Sequence, residues 1–221
     1  MSDALTLTGY AFSVYTRAAR MVMAAKGVAH AYVEIDPFDP YQAGALHRLH
    51  PFGRVPVLDH DGFRLWETQA ILDYVDAAFD GPSLTPEAPD AGARMRQVMG
   101  IVDSYLYWPL VRQAFSNAVF LPLEGETGDQ TELDHGMAAA PDILDALEKI
   151  AKEGLVLDPA TLSLADCHLW PMLDYFAMIP EGAGMIAHRP ALAGWANAMA
   201  VNLAAEVTKP DLSVLHKAGP R

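Results

Sequence analysis

The chain has 221 residues, 52% of them hydrophobic, and its 28 acidic against 15 basic side chains leave a net charge of -13. That length makes one large domain or two small ones, while the acidic balance would repel nucleic acid and anionic membranes rather than release counterions from them. A single cysteine, Cys167, excludes an intrachain disulfide, a Cys-rich zinc site and a CxxC redox pair.

Leu5-Thr6-Leu7-Thr8 alternates and stops at Gly9-Tyr10, which is the pattern of a strand. A helix is expected from Tyr15 to Lys26, with Ala19, Val22 and Met23 at core spacing and Gly27 as its stop. Ala31 to Ile35 reads as a second strand, and Tyr41 to Leu49 as a short helix. In Arg54-Val55-Pro56-Val57-Leu58 the proline has no N–H to give a ladder, and an X-Pro bond adopts cis at modest cost. A cis Val55-Pro56 would turn the chain so that Val55 presents its own N–H and C=O to a ligand. Val57-Leu58 and Phe63 to Trp66, joined by Asp59-His60-Asp61-Gly62, read as a hairpin. Glu67-Thr68 then falls at the start of an amphipathic helix reaching Phe79, where free N–H groups and the helix dipole favour an anion.

The order to residue 80 is therefore β-α-β-α-β-β-α. Residues 81–90 are rich in turn formers and read as a linker. From 91 to 221 no strand pattern recurs, and helices are expected over Ala91–Phe115, Leu133–Lys152, Ser163–Phe176 and Ala191–Ala205, with kinks or breaks at Pro109, Pro141 and Pro171. Ser163-Leu164-Ala165-Asp166 has the spacing of a capping box, a structural motif. His47 and His50 have no third ligand at firm spacing, so no metal is expected, and no Gly-rich phosphate loop is present. No apolar run approaches the ~20 residues that span a bilayer, and Met1-Ser2-Asp3-Ala4 lacks the basic and apolar regions of a secretory signal. A cytoplasmic protein that binds neither nucleic acid nor membrane is the expectation.

Phe12-Ser13-Val14-Tyr15-Thr16-Arg17 sets a hydroxyl between the first strand and the first helix. Ser13 there can cap the helix, and a hydroxyl donor near a helix N-terminus can also stabilise a thiolate. Tyr10 and Tyr15 offer the neighbouring phenols. Tyr105, Trp108, Arg112 and Phe115 recur at near-helical spacing, a stripe that suits core, a dimer contact or the aromatic wall of a pocket.

Val55-Pro56 followed by Glu67-Thr68 resembles the glutathione-binding half of the glutathione transferase family, with Thr68 where that family usually has Ser. Ser13 and Arg17 match the Ser-x-x-x-Arg segment of its serine-type members, although the proline common after that Ser is Val14 here, and Ser163 to Asp166 resembles the box that begins a buried helix in the family's second domain. The resemblance implies a cytosolic enzyme with a thioredoxin-like α/β domain followed by an all-α domain, acting as a homodimer, with glutathione as co-substrate and no metal. It implies that Ser13, or Tyr10 as in tyrosine-type members, hydrogen-bonds the sulfur. Val55 would pair its backbone with the cysteinyl part, and Glu67 and Thr68 would hold the ammonium and carboxylate of the γ-glutamyl end. Arg54 or His50 would meet the glycyl carboxylate, and Tyr105, Trp108 and Arg112 would wall a substrate pocket. The implied reaction is attack of the thiolate on a small apolar electrophile, as in detoxification. The rivals are a glutathione-dependent peroxidase or reductase, the latter expecting a Cys near Ser13, and a non-catalytic glutathione-binding protein of the same fold.

Overall fold

The alternation of Leu5 and Leu7 with Thr6 and Thr8 becomes strand β1 (Leu5–Gly9) in a computed structural model that describes residues 5–217. β1 pairs in parallel with β2 (Ala31–Glu34) and antiparallel with β3 (Val57–His60), and β3 pairs antiparallel with β4 (Phe63–Trp66), giving the order β2-β1-β3-β4. A parallel neighbour requires a crossover, here helix α1 (Val14–Lys26), which ends where Gly27 takes φ +70. The hairpin turn is tighter than expected. Asp59 and His60 stay in the ladder opposite Arg64 and Phe63, leaving Asp61 (φ 50) and Gly62 (φ 85) as a two-residue turn whose positive φ angles match strand twist. Helices α2 (Ala43–Leu49) and α3 (Thr68–Ala78) complete this half.

Leu7 faces Leu58 across the ladder, and with Leu5 they meet Ala18, Ala19 and Val22 of α1 and Ile71, Leu72 and Val75 of α3 in the main core. Each fully buried Leu, Ile or Val contributes roughly 1.5–3 kcal/mol, so a one-residue slip of register would forfeit the whole face. Gly9 lets strand and helix meet: a Cβ there would lie 2.3 Å from Thr16 Cγ2. That closeness allows Thr16 Oγ1 to accept the Tyr10 N–H, which fixes the loop leading to Ser13.

The second half is helical: α4 (Pro89–Ile101), α5 (Val102–Phe120) with a last turn at Leu121–Leu123, α6 (Gln130–Glu153), α7 (Leu164–Phe176), α8 (Pro180–Ala187), α9 (Pro190–Ala200), α10 (Leu203–Val207) and a 3-10 segment at Leu212–Lys217. α5 continues α4 but is wound with i→i+5 bonding around Pro109, the wider coil by which a helix takes in a residue that cannot donate. Pro141 and Pro171 sit inside α6 and α7, which run through them rather than ending there. The single helix expected over Ala191–Ala205 is two. Asn202 interrupts it by accepting from Ala204 N–H and Ala205 N–H, satisfying donors that would otherwise be orphaned. α8 has no counterpart among the sequence expectations.

α7 is the central helix, with 12 of its 13 residues buried. Its capping box forms as expected, Ser163 N–H reaching Asp166 Oδ2 at 2.6 Å, and Trp195 Nε1–H on α9 adds a bond to the other carboxylate oxygen at 2.6 Å. Cys167 is fully buried and its thiol is pushed up by burial, so it packs rather than reacts. Arg17 joins the halves. It is buried on α1, pairs with Asp174 of α7 at 2.5 Å and donates to Ala205 C=O at 3.1 Å. α6 is pressed onto α5 at Gly136, where a Cβ would stand 2.4 Å from Pro109 O.

Candidate active site

Two clefts meet where the halves adjoin. The first, about 420 Å³, is lined by His50, Arg54, Val55, Pro56, Glu67, Thr68 and Gln69, with Tyr15, Asp103 and Tyr107. The Val55-Pro56 bond is cis. β3 begins only at Val57, and among the described residues the Val55 N–H and C=O make no backbone hydrogen bond, so both are open to an extended ligand. Glu67 stands at the N-cap of α3 with φ +72, a conformation that costs a non-glycine residue about 1–3 kcal/mol and clusters at functional sites. Among the described residues no side chain caps this helix, and its first turn holds no acid. The free N–H groups beginning at Thr68 therefore present a concentrated positive potential to the cleft. His50 accepts the Phe52 N–H at Nδ1 (3.0 Å), so the ring proton is on Nε2. Burial holds His50 below its ordinary pKa, which leaves it a neutral donor at neutral pH.

The second cleft, about 560 Å³, shares Tyr15, Arg54, Val55, Asp103 and Tyr107 with the first and opens onto Phe12, Phe38, Phe52, Trp108, Phe115, Phe120 and Tyr175. Ser13 and Tyr10 both line it. Ser13 is the N-cap of α1: its Oγ accepts Thr16 N–H at 3.2 Å, which leaves the hydroxyl proton to donate outward. No acidic residue lies in the first turn of α1, so its dipole is available to an anion beside Ser13. Tyr10 is buried between Phe12 and Phe38, which meet it edge-on at 5.3 and 6.1 Å. Tyr15 hydrogen-bonds Asp103, and burial followed by that carboxylate pushes its phenol well up, so it stays protonated and committed.

The aromatic stripe divides. Trp108, Arg112 and Phe115 line the second cleft, but Tyr105 lines neither and is 67% exposed. The coil of α5 is the reason. With i→i+5 bonding, steps of four rather than three residues keep a face, so Trp108 goes with Arg112 and Phe115 with Tyr107 and Val111, while Tyr105 falls on neither row. Arg17, read as part of the Ser-x-x-x-Arg segment, points away from both clefts into its pair with Asp174.

Several residues of the site carry no sequence signal of their own. Asp103 on α5 binds Gln69 Nε2 of α3 at 2.7 Å and His168 Nε2 of α7 at 2.8 Å, joining three elements at the junction of the clefts. Burial opposes its ionisation, but the bonds from His168, Gln69 and Tyr15 hold its carboxyl below the usual range. Tyr175 of α7 stacks on Phe115 at 4.1 Å and donates its hydroxyl to Phe12 C=O at 3.1 Å, one residue before Ser13. The spacing of polar residues within one segment could not have paired these, because their partners are 34 to 163 residues away.

Among the described residues no group of three or more His, Cys, Asp or Glu stands where it could hold a metal ion, and no helix is long and apolar enough to cross a membrane. Residues 7–83 match the family model of the glutathione S-transferase N-terminal domain, and residues 130–198 that of the C-terminal domain. Glutathione S-transferase F14 of Arabidopsis thaliana is 30% identical over 158 residues, a match spanning 70% of this chain and 62% of that protein. Glutathione S-transferase F6 of the same plant is 26% identical over 191 residues, 85% of this chain and 90% of its own. The crystal structure of glutathione transferase F7 from Populus trichocarpa shares the fold, with a TM-score of 0.79 at 23% identity over 93% of this chain and 97% of that one. With a four-stranded α/β half before a helical half, and both family domains matched in that order, the chain belongs to the glutathione transferase family.

Proposed function

We propose that the protein joins the glutathione thiolate to the electrophilic carbon of a small, largely apolar molecule. The observation that carries this reading is the confluence of a polar cleft with peptide-binding features and an aromatic cleft, with Ser13 at a helix N-terminus on the aromatic side. In this reading the open backbone of Val55 pairs with the cysteinyl residue, and the uncapped start of α3 at Thr68 receives the γ-glutamyl carboxylate while Glu67 takes its ammonium group. Arg54 or His50, which both line the polar cleft, would meet the glycyl carboxylate; the planar guanidinium suits a bidentate grip. The sulfur then projects toward Ser13, whose hydroxyl and helix dipole favour the thiolate over the thiol.

The thiolate attacks the electrophilic carbon, the carbon–sulfur bond forms, and the leaving group departs with its electron pair, or the proton is regained after addition to a double bond. Aromatic walls hold an apolar electrophile against the sulfur, so the gain is chiefly from proximity and from thiolate stabilisation. Family resemblance extends the reading to a homodimer in the cytoplasm. Calorimetric titration with glutathione, together with turnover of 1-chloro-2,4-dinitrobenzene, is the test. Binding with turnover is expected. Binding without turnover would favour a glutathione-binding protein, and absence of binding would refute the assignment.

A further inference from the structure

Among the described residues Arg112 has no counter-charge. It lies on α5 in the wall of the aromatic cleft, and its guanidinium carbon stands 5.5 Å from the centre of the Phe38 ring. Among the described residues that guanidinium makes no hydrogen bond and no ion pair. Of the other partly or fully buried arginines among the described residues, Arg17 is tied to Asp174, Arg94 to Glu153 and Arg189 to Asp145, while Arg20 lies over the Tyr32 ring and, unlike Arg112, lines neither cleft. A cation over an aromatic face is attracted by the ring quadrupole without engaging its hydrogen-bond donors. Its five N–H donors lie in the guanidinium plane in a fork that matches a planar acceptor.

The cleft also departs from the charge of the whole chain. The protein carries a net charge of -13, yet the cleft is lined by two arginines, Arg54 and Arg112, against one acid, Asp103. Asp103 is already engaged by His168, Gln69 and Tyr15. With Arg54 directed to glutathione, Arg112 is the remaining positive charge, and it sits among apolar surfaces where a charge-assisted bond is stronger than in water.

Resting on the proposed transferase reading, we infer that the second substrate is an aromatic electrophile bearing an anionic substituent, a carboxylate or sulfonate, and that Arg112 is the residue that selects it. The ring is held by Phe38, Trp108 and Phe115, the anion is met by the free edge of Arg112, and the electrophilic carbon is turned toward Ser13. The reaction is nucleophilic aromatic substitution. The glutathione thiolate forms the carbon–sulfur bond at the carbon bearing a halide, and the halide leaves with the bonding pair, so no oxidant or further reactant is required.

The test compares 4-chloro-3-nitrobenzoate with 4-chloro-3-nitrobenzamide, which share a shape and differ in charge, each rate divided by its uncatalysed rate with glutathione. The wild-type protein should favour the benzoate in kcat/KM by at least about ten-fold, the scale of a hydrogen bond between charged groups. Arg112→Gln should abolish that preference and Arg112→Lys should restore part of it. A ratio near one in the wild type, or a ratio unaltered by Arg112→Gln, overturns the inference.

A binding measurement separates this failure from failure of the transferase reading. Unreactive 3-nitrobenzoate and 3-nitrobenzamide can be titrated against tryptophan fluorescence, since Trp108 is in the cleft and 61% exposed. Tighter binding of the benzoate that is lost in Arg112→Gln sustains the anion site even where turnover is absent. Equal binding of the two overturns it even where the enzyme conjugates other electrophiles.

Discussion

Ser13→Ala removes two interactions at once, and the structure lets them be separated. Oγ of Ser13 accepts the Thr16 N–H at 3.2 Å, and its proton is free for the glutathione sulfur. Loss of the cap costs about 0.5–2 kcal/mol of stability. Loss of a donor to the thiolate costs roughly 1.5–3 kcal/mol, which raises the bound thiol's pKa by roughly one to two units. Ser13→Asp splits these effects. Aspartate caps a helix as well as serine does, so stability should be retained, while its carboxylate beside the sulfur should raise the thiol pKa further. The assay is ultraviolet titration of bound thiolate together with thermal denaturation, in both variants and in Tyr10→Phe. The expected pattern is a raised thiol pKa in both Ser13 variants, with a lowered melting temperature in Ser13→Ala only. A thiol pKa that moves only in Tyr10→Phe would assign the role to Tyr10, and one that moves in none would leave Ser13 as a cap alone.

Glu67→Ala should weaken glutathione binding by about 1.5–3 kcal/mol, read by calorimetry, if its carboxylate meets the ammonium group; unchanged affinity would remove it from the site. Arg17→Met should cost about 1–3 kcal/mol in denaturant unfolding, because it leaves the partly buried carboxylate of Asp174 and the Ala205 carbonyl without their donor, and Arg17→Met with Asp174→Leu should recover part of that loss. At Gly136, helix propensity favours alanine by about 1 kcal/mol, but a Cβ 2.4 Å from Pro109 O forces α5 and α6 apart at a cost of about 1–3 kcal/mol; Gly136→Ala should therefore destabilise, and a stabilised variant would refute the close approach. Burial, the leading influence, pushes the Asp166 carboxyl up to about 6 despite its three donors. The folded value then exceeds the unfolded one of ~3.9, so the folded state binds this proton more tightly. Its stabilisation is fully present below pH ~4 and is lost as pH rises to about 6, by about 3 kcal/mol in total. Comparing unfolding free energies between pH 4 and 7 with those of Asp166→Asn isolates the effect; equal slopes would deny the shift.

Much of the α/β half was legible in the sequence because its signals are local. Alternation in Leu5 to Thr8, the Gly27 stop, the Asp61-Gly62 turn and the Val55-Pro56 and Glu67-Thr68 pairs each depend on neighbours within a few residues, and the backbone follows them. The Ser163 to Asp166 box was readable for the same reason. What tertiary structure decided is where long side chains point. The wide coil of α5 turned Tyr105 out and kept Trp108 with Arg112, a choice set by hydrogen bonding around Pro109 rather than by the spacing of the aromatic residues. Arg17 was drawn to Asp174 on α7 and away from the clefts. Asp103, Gln69, His168 and Tyr175 became parts of one site only when α3, α5 and α7 packed together. A local motif is written in the order of the chain, whereas a cleft between two halves is made by hydrogen bonds and contacts between segments that the chain order keeps far apart.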